Sequence, residues 1–211
     1  MDWTTVASLG TAAGTLVLAV ATFAAVRSAN LAARTAERTL QAGLRPLLLP
    51  SRQDDGDQKV YFAGGQYLVV PGGRAIVTEQ SDAILLTISL RNAGSGLAVL
   101  HGWRFYRHDI RGEMRPAPAD FTGQTRDLYV PGSDTGFWQG AFRDPADPAY
   151  EAARQAIKER DVLTIDLLYG DFEGGQRMIT RFILRPGRDD VLVSSAIRHW
   201  SVDRDDPRPA R

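Results

Sequence analysis

The sequence contains no cysteine, which excludes a disulfide framework, and no Asn-x-Ser/Thr acceptor for glycosylation. Lysine is nearly missing. Of 25 Lys plus Arg residues, only Lys59 and Lys158 are lysine, a bias that beside abundant alanine reflects a GC-rich genome rather than a phosphate-binding surface. Asp plus Glu also number 25, so the net charge is zero and no nucleic-acid partner is expected. The P-loop, the dinucleotide fingerprint and H-E-x-x-H are all lacking, and Gly94-Ser95-Gly96 is not the G-x-S-x-G of a nucleophile elbow. His101, His108 and Asp109 follow no standard metal-ligand spacing, and Asp171 and Glu173 alone fall short of the oxygens that Ca²⁺ takes. Catalytic residues, cofactor and metal are therefore all read as none, and the chain is not expected to be an enzyme.

The most telling absence is local. Residues 3–26 carry no charged side chain, and Leu9, Leu16, Val17, Leu18, Val20 and Phe23 stand there among alanines and hydroxyl residues. As a helix rising ~1.5 Å per residue this stretch reaches roughly 36 Å, enough to cross a ~30 Å hydrocarbon core. Its hydroxyls can bond to carbonyls of the same helix. Trp3 is the expected aromatic interface anchor and Arg27 the headgroup-level charge that ends the span. A cleaved signal peptide fits poorly, because Met1-Asp2 brings no positive charge and the apolar run is too long. Arg27, Arg34, Arg38 and Arg45 follow the span, opposed only by Glu37. The positive-inside rule then predicts a single-pass protein of the cell (inner) membrane, N-terminus outside and the rest cytoplasmic.

Within the span, Gly10 and Gly14 form G-x-x-x-G, and Ala7, Ala21 and Ala25 extend a small-residue stripe. Such a stripe lets two backbones approach in lipid, so a homodimer through the span is an expectation. Residues 27–45 continue as a two-faced juxtamembrane helix, with arginines on one side and Ala29, Ala33, Ala36, Leu40 and Leu44 opposite, ended by Pro46. The Ala/Leu side packs on the downstream domain or on a second copy, or the helix stands as a solvated stalk; the pattern leaves these open.

From residue 46 the period changes to two. Ile84, Leu86, Ile88 and Leu90 alternate with Leu85, Thr87, Ser89 and Arg91 as a half-buried strand. Residues 92–96 read as a turn whose glycines supply positive φ. A strand over 97–106 places Val99, Trp103 and Phe105 on one face, with His101 packed in phase. Leu163, Ile165, Leu167 and Tyr169 pair through a turn at 172–176 with Thr180, Phe182 and Leu184. A Glu173-Gly174 loop sets Asp166 across from Arg181 as a surface pair. Further strands are expected at 47–49, 67–70, 127–130, 136–142 and 191–194, and one helix over 145–160, with Tyr150, Ala153 and Ile157 inward. The sum is a mainly β domain over 46–202: an immunoglobulin-like β-sandwich of about seven to nine strands with one inserted helix. A disordered tail is expected at 203–211.

Three motifs carry a resemblance: Arg45-Pro46-Leu47-Leu48, the N-x-G-x-G-x-A run Asn92–Ala98, and Tyr169-Gly170-Asp171-Phe172-Glu173-Gly174. With the N-terminal span, they make the chain resemble bacterial single-pass membrane proteins with an Arg-rich juxtamembrane helix and a C-terminal β-sandwich domain. The resemblance implies that architecture and no activity. Two functions follow as expectations: a membrane-anchored interaction or scaffold module with an unidentified cytoplasmic protein partner, or a small-ligand sensor or unrecognised hydrolase with a pocket near His101, Trp103 and Tyr106.

Overall fold

The computed structural model describes residues 2–80, 83–110, 114–187, 191–206 and 208. The chain divides into two compact units, residues 1–43 and 44–211.

The first unit is helix α1, Trp3–Gly43, 41 residues long. It is long and apolar enough to span a membrane: a window of mean hydropathy 1.9 lies within residues 7–37. Ser8, Thr11, Thr15 and Thr22 each donate to the carbonyl four residues earlier, at 2.8–3.0 Å, so these hydroxyls add no unsatisfied polarity to the span. The helix ends at Gly43, two residues before the limit that Pro46 imposes on Arg45.

The second unit is mainly β. In chain order its strands are β1 (Leu48–Pro50), β2 (Gln58–Tyr61), β3 (Tyr67–Val70), β4 (Arg74–Gln80), β5 (Ala83–Asn92), β6 (Ala98–Tyr106), β7 (Thr122–Val130), β8 (Thr135–Phe142), β9 (Leu163–Gly170), β10 (Met178–Pro186) and β11 (Leu192–Ser201). Nine of them form one antiparallel sheet in the order β1-β5-β4-β11-β10-β9-β6-β7, with β8 on the free edge of β5. The sheet curls until β7 and β8 lie alongside each other. The expected immunoglobulin-like division into two sheets is not reproduced, because the ladders run through one. β2 and β3 make a separate hairpin. The inserted helix α2, Pro148–Glu159, starts later than expected. Pro148 is tolerated only in a first turn, and Asp147 caps it by accepting from the Ala149 amide.

Inside the curl, Ile84, Leu86, Ile88, Trp103, Trp138, Ile165, Phe182 and their neighbours form the main core, closed on one side by Tyr150, Ala153 and Ala156 of α2. The outer surface is covered too. Val60, Phe62, Leu68 and Val70 of the β2–β3 hairpin pack on Ala83 and Leu85, which buries β5 on both faces rather than on one. β9 and β10 are likewise buried on both faces.

Burial of the second face of β9 and β10 corrects the reading of Asp166 and Arg181. Their register is as expected, Arg181 opposite Asp166, but the pair is buried. Arg181 Nε and Nη2 donate to the two carboxylate oxygens at 2.7 and 2.6 Å, and Nη1 donates to the Ile110 carbonyl at 3.3 Å. The guanidinium lies 5.4 Å from the Tyr106 ring centroid and 5.1 Å from that of Trp200.

Candidate functional site

The motifs at 45–48, 92–98 and 169–174 meet at the start of the second unit. After Gly43 the backbone does not trail free; residues 44–48 are clasped. Arg45 Nε donates to Gln176 Oε1 (3.2 Å), the Leu47 amide to Asn92 Oδ1 (3.0 Å), the Ala93 amide to the Leu47 carbonyl (2.8 Å) and the Leu48 amide to the Tyr169 hydroxyl (3.1 Å).

Asn92 is the pivot. Fully buried at the end of β5, it uses its whole amide. Oδ1 accepts from the Leu47 and Gly94 amides, and Nδ2 donates to the carbonyls of Gly96 (2.7 Å) and Val130 (3.1 Å). Asparagine offers two donors and two acceptor sites, and all four are filled.

The glycines of this motif serve a different end from the one expected. Neither Gly94 nor Gly96 has positive φ. They are there because backbone passes where a side chain would stand: a Cβ on Gly94 would lie 2.1 Å from the Arg45 carbonyl oxygen, and one on Gly96 would lie 1.7 Å from that of Leu44. Gly132 is confined in the same way by the Ser95 carbonyl at 2.0 Å.

A chain of hydroxyls runs from the clasp across β9, β10 and β11. The Tyr169 hydroxyl meets Thr180 Oγ1 at 2.8 Å, and Thr180 Oγ1 meets His199 Nδ1 at 2.9 Å. Since Tyr169 accepts from Leu48, the consistent direction is Leu48 N–H to Tyr169, Tyr169 to Thr180, and Thr180 to a neutral His199 Nδ1. Burial pushes the Tyr169 phenol up to about 12, so it stays protonated and can donate. Burial, helped by the Arg208 cation, pushes the His199 imidazole down, toward the neutral form that the chain needs.

The residues singled out from the sequence are dispersed. Trp3, Arg27, Ala7, Gly10, Gly14, Ala21 and Ala25 lie along α1 with exposed side chains, and a Cβ at Gly10 or Gly14 meets nothing within 4 Å. The side chain of Arg38, and residues 207 and 209–211 of the tail, lie outside the described residues. Asp203, in the segment expected to be disordered, accepts from Arg177 Nη2 at 2.6 Å. Trp103 belongs to the core, stacked edge-on against Trp138 and Phe142. His101 does not share its face: a β-bulge between Leu100 and Gly102 turns it outward, so Leu100 and Trp103 take the core positions. Tyr106 stands over Arg104 and Arg181. A recess of about 470 Å³ opens elsewhere, lined by Ile76, Thr78, Ile157, Arg160 and Leu192 among others. Among the described residues, no three His, Asp or Glu side chains are placed to hold a metal.

No protein-family model, curated protein or solved structure matches the chain. Asn92, Tyr169, Thr180 and His199 were missed as a unit. The signal for Asn92 and Tyr169 lay in their motifs, whose glycines read as turn chemistry.

Proposed function

We propose that the chain is a single-pass inner-membrane protein, N-terminus outside, whose β domain is a cytoplasmic interaction or scaffold module held at the membrane surface. The observation that carries this reading is the clasp. Only residues 44–47 separate a span-length helix from β1, and the domain bonds to two of them, Arg45 and Leu47. A freely diffusing domain has no use for such a join, whereas a tethered one gains a fixed attachment point. The orientation rests on the arginines that follow Val26, and self-association of the span rests on the Gly10/Gly14 stripe. The immunoglobulin-like comparison rests on strand number, and a bacterial source on the motif resemblance.

Photo-crosslinking in intact cells, followed by pull-down of the tagged full chain, tests the reading. Protein adducts mapping to the domain surface are expected; adducts confined to lipid would contradict it. A small-ligand sensor draws support only from the recess beside Ile157 and Leu192, whose volume is within the usual range for ligand pockets. That reading expects crosslinks to small molecules at Ile157 instead.

A further inference from the structure

The β2–β3 hairpin turns an unusual face to solvent. Its inner residues Val60, Leu68 and Val70 are buried, as a half-buried hairpin requires. The outer positions are Lys59, Tyr61, Tyr67 and Val69, and Tyr61 and Tyr67 remain 51% and 52% exposed. The two tyrosines are cross-strand partners with ring centroids 5.9 Å apart. The Lys59 ammonium is held over them, 4.3 Å from the Tyr67 centroid and 5.2 Å from that of Tyr61.

Two more cations flank the same hairpin. Arg126 Nη2 donates to the Tyr61 carbonyl and to Gln139, and Arg143 Nη2 donates to the Ala63 carbonyl. Among the described residues none of these three cations pairs with a carboxylate, whereas Arg104, Arg107, Arg154, Arg177, Arg181 and Arg185 all do. The acidic run Asp54, Asp55 and Asp57 precedes β2, at the end away from the 62–66 turn.

We infer that this face docks a carboxylate-rich extended segment of a partner protein, its acids meeting Lys59, Arg126 and Arg143 and its apolar side chains packing on Tyr61, Tyr67 and Val69. Tyrosine contributes a large contact area with little conformational entropy to lose, and Lys59 is already positioned by the rings. The inference deepens the interaction-module reading by naming the chemistry of the partner, and it does not depend on which side of the membrane the domain lies.

The test is selection of a displayed random twelve-residue peptide library on the full chain in neutral-lipid nanodiscs, with oligo-dT as a competitor. Enrichment of Asp- and Glu-rich peptides is expected. Their binding is expected to fall at least tenfold in a Lys59→Glu, Tyr67→Ser variant whose melting temperature is unchanged, and to weaken with salt. Enriched peptides that are not acidic, binding indifferent to the double substitution, or displacement of the peptides by oligo-dT at equal concentration would each overturn the inference. A failed selection with protein adducts still mapping elsewhere on the domain would leave the module reading standing, so the two failures are distinguishable.

Discussion

At the residue scale, the sharpest revision concerns Arg181. Alternation with Phe182 places it on the opposite face, and that face is ordinarily solvent; here it is closed by Trp200, Tyr106 and the Ile110 carbonyl. Arg181→Ala therefore strands Asp166 as a buried, unpaired carboxylate, at a cost of about 3–5 kcal/mol. Phe182→Ala empties a core position for a similar cost of about 3–5 kcal/mol. Chemical denaturation of the purified chain checks both: near-equal losses are expected, and a loss under about 1 kcal/mol for Arg181→Ala would return it to the surface. Gly96→Ala gives a second check. Its methyl has nowhere to go against the Leu44 carbonyl, whereas at Gly123 a Cβ meets nothing within 4 Å. Gly96→Ala is expected to lower stability by at least about 1–3 kcal/mol and to raise hydrogen exchange at residues 44–50, with Gly123→Ala nearly neutral.

His199 belongs to the same scale and gives a pH dependence. Its folded-state affinity for a proton is lowered by burial and by the Arg208 cation. The unfolded chain therefore binds more protons, and the stabilisation is complete above the ordinary imidazole value of 6.5 and lost as pH falls through it toward the lowered folded value. Protonation also turns Nδ1 into a donor facing Thr180, which leaves the Thr180 hydroxyl hydrogen without the acceptor it had. Melting temperature followed from pH 8 downward is expected to fall more steeply for the wild type than for His199→Gln; parallel curves would dissociate His199 from the clasp.

At the element scale, much was legible. The charge-free span, the β5 and β9 alternation, and the β9–β10 register are all local patterns, and local patterns survive folding. Strands β2 and β4 were not anticipated. Gln58–Tyr61 is short and begins with two polar residues, so it shows no alternation, and its role as a cover for β5 exists only through contacts far apart in sequence. The burial of both sheet faces was hidden for the same reason. The span raises its own question. Replacing Gly10 and Gly14 with Ile blocks close approach of two backbones without harming insertion. Loss of crosslinked dimer in that variant, with dimer kept when Leu16 and Phe23 are changed to Ile, is expected; an unchanged dimer signal in the Gly variant would remove the stripe from the account.

For the whole molecule, the chain has two compact units, and the motifs at residues 45–48, 92–98 and 169–174 hold the first residues of the second unit in place. The function proposed above requires the apolar helix to lie in a membrane and the clasped domain to lie on its cytoplasmic side. Because the chain has no cysteine, one cysteine placed at the exposed Ile197 is a unique reporter of where the domain lies. Membrane-impermeant maleimide is applied to cells bearing the Ile197→Cys chain before and after permeabilising the inner membrane, and labelling is read in the carbonate-resistant membrane fraction. Labelling only after permeabilisation is expected; labelling of intact spheroplasts, or recovery of the chain in the carbonate-soluble fraction, would contradict the proposed topology.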